Sequence, residues 1–241
     1  MKCADMSAIC SDMALFALGD LHLSVGASDK PMDIFRGWEN YVGLLRENWQ
    51  KTVSPEDTVV VPGDISWAMR LEHAYEDFEF LNSLNGKKII LKGNHDYWWT
   101  SMKKMTDYMD SNGFDTISIL HNNFYVYENY AICGTRGWVS VDGEAEDAKV
   151  LRREVMRLEA SLKPASESGL VPIAFLHYPP VFSGSCNYDI LDILYKYNIT
   201  RCFYGHIHGY ACKNAVNGIS DGIDFRLVSA DYCKFTPFRV I

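Results

Sequence analysis

The sequence predicts a single α/β domain, and three observations carry that reading. Short apolar runs of β type alternate with amphipathic helical stretches through the first half of the chain. Along the whole chain, five such runs stop at Asp, Asn or His, and four of the five do so through a glycine. The 241 residues, 48% of them hydrophobic, suffice for one sizeable core, so one domain is favoured over two.

Composition and charge narrow the function classes. A formal net charge of −8 leaves no broad electrostatic footprint for nucleic-acid phosphate, although bound divalent cations would make a site locally positive. The seven cysteines (Cys3, Cys10, Cys133, Cys186, Cys202, Cys212 and Cys233) are odd in number and form no Cys-x-x-Cys pair. That usage points to reduced thiols in a cytoplasm, not to a disulfide framework or a zinc knuckle. No apolar run approaches the roughly 18 residues needed to span a membrane. Residues 1–12 do not read as a signal peptide, because Asp5 and Asp12 interrupt them. They are expected to be a dispensable extension before a domain over 13–241, with Met13 as an alternative start.

Taken in order, Ala14–Leu18 is expected to be a buried strand that runs into Gly19-Asp20-Leu21-His22. In an extended chain Asp20 and His22 project to the same side, which makes half of a divalent-cation site. A strand end with an Asp-containing turn is the plain alternative. From Pro31 to Lys51, Ile34, Phe35, Trp38, Val42, Leu45 and Trp49 recur at helical spacing, with Pro31 in the first turn. Both tryptophans are read as core. Thr58–Val61 is the second strand and ends in Pro62-Gly63-Asp64. A helix follows over Glu72–Asn85, with Ala74, Phe78, Leu81 and Leu84 inward and Gly86 at its end; His73 is read as surface or cap.

Ile89-Ile90-Leu91 then opens onto Lys92-Gly93-Asn94-His95-Asp96. Three polar side chains just past a buried strand belong at the carboxyl edge of an α/β sheet, where such folds place ligands. Alone, the stretch could be a polar turn. A Met-rich helix over Thr100–Asn112 comes next, stopped by Gly113, with its methionines as core filler.

After Thr116 the runs Ile117–Leu120, Phe124–Tyr127 and Tyr130–Cys133 are short and are expected to pair antiparallel, with His121 in a turn. Arg136 lies in Gly134-Thr135-Arg136-Gly137-Trp138 and is the candidate substrate contact. Glu144–Leu162 reads as a charged helix whose Arg152, Arg153 and Arg157 form a solvated face, and residues 161–169 read as a polar loop. Ile173–Leu176 ends at His177, where Pro179 and Pro180 stop any continuation. After a short helix, Asp189–Tyr197, the run Cys202-Phe203-Tyr204 leads into Gly205-His206-Ile207-His208. Phe225–Val228 and the tail Phe235–Ile241 are expected to finish a second sheet.

Collected, the strand ends offer Asp20, His22, Asp64, Asn94, His177, His206 and His208, with His95 and Asp96 alongside. Two carboxylates, one amide oxygen and four imidazoles exceed the needs of one tetrahedral ion. They suit two divalent metal ions about 3.5–4 Å apart sharing a carboxylate. The lack of thiolates suits Mn²⁺ first, with Fe or catalytic Zn²⁺ as alternatives.

The order Asp-x-His, Gly-Asp, Gly-Asn-His-Asp, His, Gly-His-x-His resembles the calcineurin-like metallophosphoesterases, and the blocks span Gly19 to His208. The resemblance implies a sandwich of two mixed β-sheets flanked by α-helices. It implies that Asp20, His22 and His208 hold one metal, that Asn94, His177 and His206 hold the other, and that Asp64 bridges. It further implies that His95 meets the substrate above the metals, with Asp96 orienting it. The activity implied is hydrolysis of a small phosphomonoester or phosphodiester by attack of metal-bridged hydroxide on phosphorus.

The second motif, Gly63-Asp64-Ile65-Ser66-Trp67-Ala68-Met69, departs from the Gly-Asp-x-Val-Asp-Arg-Gly of protein phosphatases, and Leu23 stands where glycine is frequent. Gly93-Asn94-His95-Asp96-Tyr97-Trp98-Trp99 together with the Arg136 segment resembles a group of small bacterial predicted phosphohydrolases. Trp98, Trp99 and Trp138 are read as core in preference to pocket. A small phosphorylated substrate is the expected partner, without membrane or nucleic acid, and the oligomeric state stays open. A catalytically weak scaffold of the same fold is the alternative, but none of the seven ligand positions is substituted.

Overall fold

A computed structural model describes residues 13–26, 30–138 and 145–241, so the expected extension over 1–12 lies outside the described residues. The first sheet contains β1 (Leu15–Ala17), β2 (Thr58–Pro62), β3 (Lys87–Leu91) and β4 (Ile117–Ile119), all parallel, with β13 (Phe238–Arg239) antiparallel beside β1. The second sheet runs β11 (Gly218–Ser220), β12 (Ile223–Leu227), β10 (Arg201–Tyr204), β7 (Val171–Leu176), β6 (Tyr130–Thr135) and β5 (Tyr125–Tyr127). Its four central strands are parallel and its edges β5 and β11 antiparallel. A small hairpin of β8 (Val181–Phe182) and β9 (Ser185–Cys186) lies outside both sheets.

Two mixed sheets packed face to face are therefore the architecture, as the family resemblance implied. Side-chain alternation builds it, because successive residues of a strand face opposite ways. Leu15, Ala17, Val60, Ile89, Ile173, Phe175 and Phe203 meet between the sheets. Phe16, Val59, Val61 and Ile90 face outward from the first sheet onto α1 (Tyr41–Thr52), α2 (Tyr75–Ser83) and α3 (Met102–Asn112). Ala174, Leu176, Cys202 and Tyr204 face α4 (Ala145–Glu167) and α5 (Tyr188–Lys196). Trp38, Trp49 and Trp98 are core, whereas Trp99 and Trp138 are only partly buried.

Four expectations are corrected. The helix expected from Pro31 begins at Tyr41, because Gly37 and Asn40 take left-handed backbone (φ 91° and 51°), and Ile34 and Phe35 are exposed. Ile117–Ile119 does not join an antiparallel group; it pairs parallel with β3 in the first sheet. The tail strand completes the first sheet, since Phe238 pairs with Ala17 and not with the second sheet. The polar loop over 161–169 is helix as far as Glu167, across Pro164. Ser161, Leu162 and Ala165 are fully buried there, and that burial outweighs the one backbone bond a proline removes.

Among the described residues no helix is long and apolar enough to cross a membrane. Cys133, Cys186, Cys202, Cys212 and Cys233 are all free thiols.

Candidate metal centre

The two sheets meet at the carboxyl ends of their parallel strands. The Gly19 amide donates to Val228 O at 2.8 Å and the Ala230 amide to Gly19 O at 3.0 Å, which ties β1 to the end of β12. The Gly205 amide donates to His177 O at 3.1 Å, and the His206 amide reaches both Asp20 oxygens at 2.9 Å. Polar residues from β1, β2, β3, β7 and β10 are thereby drawn to one edge.

Two glycines permit the approach. A Cβ on Gly93 would overlap the Asp64 carboxylate, and one on Gly205 would overlap the Asp20 carboxylate. Four of the gathered side chains sit on left-handed backbone: Asp20 (φ 58°), His22 (45°), Asp64 (52°) and His206 (72°). Such conformations are costly outside glycine and persist where surrounding structure holds them.

All seven sequence-predicted ligands come together. Ligand atoms of Asp20, His22 and His208 lie within 4.8 Å of one another, as do those of Asp20, Asp64 and His177. His22 Nε2 is 3.2 Å from His208 Nε2 and 3.7 Å from Asp64 Oδ2. His177 Nε2 is 3.5 Å from Asp64 Oδ2 and 2.5 Å from Asn94 Oδ1, and His206 Nδ1 meets the same amide oxygen at 2.9 Å. Asp20, Asp64 and His177 are essentially excluded from solvent.

The electrostatics are those of a site built for positive charge. Burial pulls His208 down, but Asp20 at 3.4 Å and Asp231 at 3.0 Å lift its pKa to about 10. Burial opposes ionisation of Asp20, yet His208, His177 and His22 hold it well below the usual carboxylate range. Burial, reinforced by the Asp20 charge, pushes Asp64 up to about 8. Burial, with His177 nearby, pulls His206 down to about 4. Two imidazole Nε2 atoms facing each other at 3.2 Å, beside buried carboxylates, fit cation ligands better than a self-contained hydrogen-bond network.

His95 stands beside this set. Its ring centroid is 5.6 Å from that of His22 and 4.4 Å from that of Trp67, and its amide donates to Asp64 Oδ1 at 2.8 Å. Asp96 does not orient the His95 ring. Its carboxylate accepts from the amides of Asp64, Ile65, Ser66 and Gly93 and from Trp98 Nε1 at 2.7–3.3 Å. That set clamps the second and third motif loops together, while His95 Nδ1 is buried without a partner.

Arg136 contributes its backbone to the site, its carbonyl accepting from the His177 amide at 3.1 Å. Its guanidinium lies over Trp138 at 4.7 Å and pairs with Glu154 at 3.2 Å. His73 is exposed in a 3₁₀ turn, away from the ligand set. A cavity of about 500 Å³, walled by Trp138, Pro179, Pro180, Phe182, Tyr188 and Ile207, opens against His206.

Sequence reasoning missed four contributors. Asp231 pairs with His208 Nδ1, and Ser229 Oγ donates to Asp20 Oδ2 at 2.8 Å. Trp67 stacks on His22 with centroids 5.0 Å apart, and Lys30 Nζ lies 5.3 Å from the Trp67 ring. Asp231 carried a signal: it lies three residues past a further strand-like run, Phe225–Val228.

Comparison with known proteins identifies the family and the fold. Residues 13–210 match the calcineurin-like phosphoesterase family. Phosphopantetheinyl hydrolase from Mycobacterium tuberculosis shares the fold at a TM-score of 0.59 and 16% identity, covering 95% of each chain. A protein of unknown function from Aquifex aeolicus matches at a TM-score of 0.50 and 16% identity, covering 95% of this chain and 96% of its own. A Thermus thermophilus structure matches at 0.51 and 15% identity, over 81% of this chain and 82% of its own. No curated protein matches the sequence significantly.

Proposed function

The chain belongs to the calcineurin-like phosphoesterase family, and from that premise we propose that it is a dinuclear metal-dependent hydrolase of small phosphoesters. The observation that carries the reading is the convergence of Asp20, His22, Asp64, His177 and His208 in two overlapping triads at one sheet edge. Asp20, His22 and His208 would hold one ion, Asn94, His177 and His206 the other, with Asp64 between them. Mn²⁺ is the preferred occupant, and Fe or Zn²⁺ would also suit the N/O donor set.

When bound, two divalent ions supply an activated water near neutral pH and polarise the phosphoryl oxygens. The chain's own residues do the rest. Asp96 clamps the loops that carry Asp64 and Asn94, so the ligand geometry is set before substrate arrives. His95, propped by Trp67, faces the phosphoryl group and gives a proton from Nε2 to the leaving oxygen. Burial, with His177 and His208 nearby, lowers the pKa of His95, and an incoming phosphoryl anion would raise it again. Arg136 steadies the substrate from the flank, and the cavity beside His206 receives its organic part. The free thiols fit a reducing compartment, the cytoplasm.

The test is kcat/KM with Mn²⁺ for bis-p-nitrophenyl phosphate and for p-nitrophenyl phosphate, on protein of known metal content. Turnover of either supports the reading, and their ratio separates diesterase from monoesterase. Two bound metals with no turnover of any phosphoester would instead favour a scaffold.

A further inference from the structure

A separate cavity of about 370 Å³ lies between the carboxyl ends of β3 and β6, the amino end of α3 and the middle of α4. Its charged lining is unusual for a chain of net charge −8. Lys92, Arg136 and Arg157 converge there with His121 beside them, and Glu154 is the one carboxylate among the described lining residues.

Glu154 is fully used. Its Oε1 takes Arg136 Nη2 at 3.2 Å and Arg157 Nη1 at 2.7 Å, and its Oε2 takes Thr135 Oγ1 at 2.6 Å. One buried carboxylate thus faces three cations. Arg136 Nε is buried without a hydrogen-bond partner. Lys92 is partly buried in the same lining, beside the two guanidinium groups. Confining like charges in a concave site is unfavourable unless an anion offsets them. The amino end of α3, with Thr100, Ser101 and Met102 in the lining, adds amide groups of the same sign.

We propose that this cavity is an oxyanion site, which takes a phosphate or carboxylate group on Lys92, Arg136 and Arg157. It adjoins the candidate metal centre without sharing a ligand. Lys92 precedes Asn94 by two residues, and Arg136 O accepts from the His177 amide at 3.1 Å. If the phosphoesterase reading holds, a substrate bearing a second acidic group would span both sites; the oxyanion site itself does not depend on that reading.

Inorganic phosphate titrated calorimetrically into chelator-treated protein tests the site with no metal to hold the anion. One phosphate should bind per chain, and Arg136→Gln and Arg157→Gln should each weaken it about tenfold or more, as loss of a charge-assisted hydrogen bond predicts. Arg157→Lys should recover most of the affinity. Should Arg136→Gln fail to fold, as judged by circular dichroism, the half-exposed Arg157 carries the test. Absence of saturable binding, or binding unchanged in the variants that fold, overturns the proposal.

A second arm distinguishes the sources of the anion. In metal-loaded protein, a preference for phosphoglycolate over ethyl phosphate that disappears in Arg157→Gln assigns the site to the substrate's own acid group. Equal preference in both proteins, with phosphate binding intact, assigns it to a free anion. Hydrolysis of neither ester counts against the phosphoesterase reading and leaves the calorimetric result standing.

Discussion

His208 shows how a single residue is tuned by what the fold brings to it. Asp231 Oδ1 lies 3.0 Å from Nδ1, which fixes the ring and leaves Nε2 facing Asp20 and His22. A carboxylate behind a ligating imidazole both orients it and raises its basicity, so Asp231→Asn should weaken metal binding about 10–100-fold. Competition with a chromogenic chelator measures this, and unchanged affinity would remove Asp231 from the site. His95→Asn should behave in the opposite way, retaining both metals while kcat falls about 10²–10⁴-fold, the range of a lost general acid. Metal loss in that variant would contradict the assigned role. The candidate ligands were legible in the sequence because each closely follows an apolar run, and that pattern is local. Trp67 and Lys30 were not, because they acquire meaning only through the stacking with His22 that the folded chain creates.

At the scale of elements, apolar runs located the strands well, and helix boundaries proved harder to read. Periodicity over Pro31–Lys51 is helical, yet left-handed backbone at Asn40 delays the helix to Tyr41. Residues 161–169 read as a polar loop, yet α4 continues through Pro164 to Glu167 because the flanking residues are buried. β3 carries a less expected feature. Lys88 is fully buried, with Nζ on Leu84 O at 2.6 Å and Gly86 O at 2.8 Å, where it satisfies carbonyls at the end of α2. Burial lowers its pKa from 10.5 to about 8. Between these values the unfolded chain holds a proton that the folded chain does not, so this contribution to stability rises with pH across that window. Denaturant titrations of wild type and Lys88→Met should therefore diverge in favour of wild type from pH 8 to pH 10.5, on the order of 2 kcal/mol. Parallel curves would show that the ammonium is not desolvated as described.

For the whole molecule, the decisive event is the meeting of two sheets along one edge. Each sheet alone carries an incomplete set: Asp20, His22, Asp64 and Asn94 follow strands of the first, and His177, His206 and His208 follow strands of the second. The sequence announced the α/β class and the pairing of polar residues with strand ends. It did not announce which sheet receives β4 or the tail strand, because that choice depends on long-range partners and a two-residue pairing. Asp64 stands at the junction, 3.7 Å from His22 and 3.5 Å from His177, so it couples the two halves. The most direct test is metal stoichiometry by elemental mass spectrometry, read alongside phosphoester turnover, for wild type and Asp64→Asn. The account predicts two ions per wild-type chain with turnover, and loss of metal together with activity in the variant. Retention of both ions and of turnover by Asp64→Asn would contradict it.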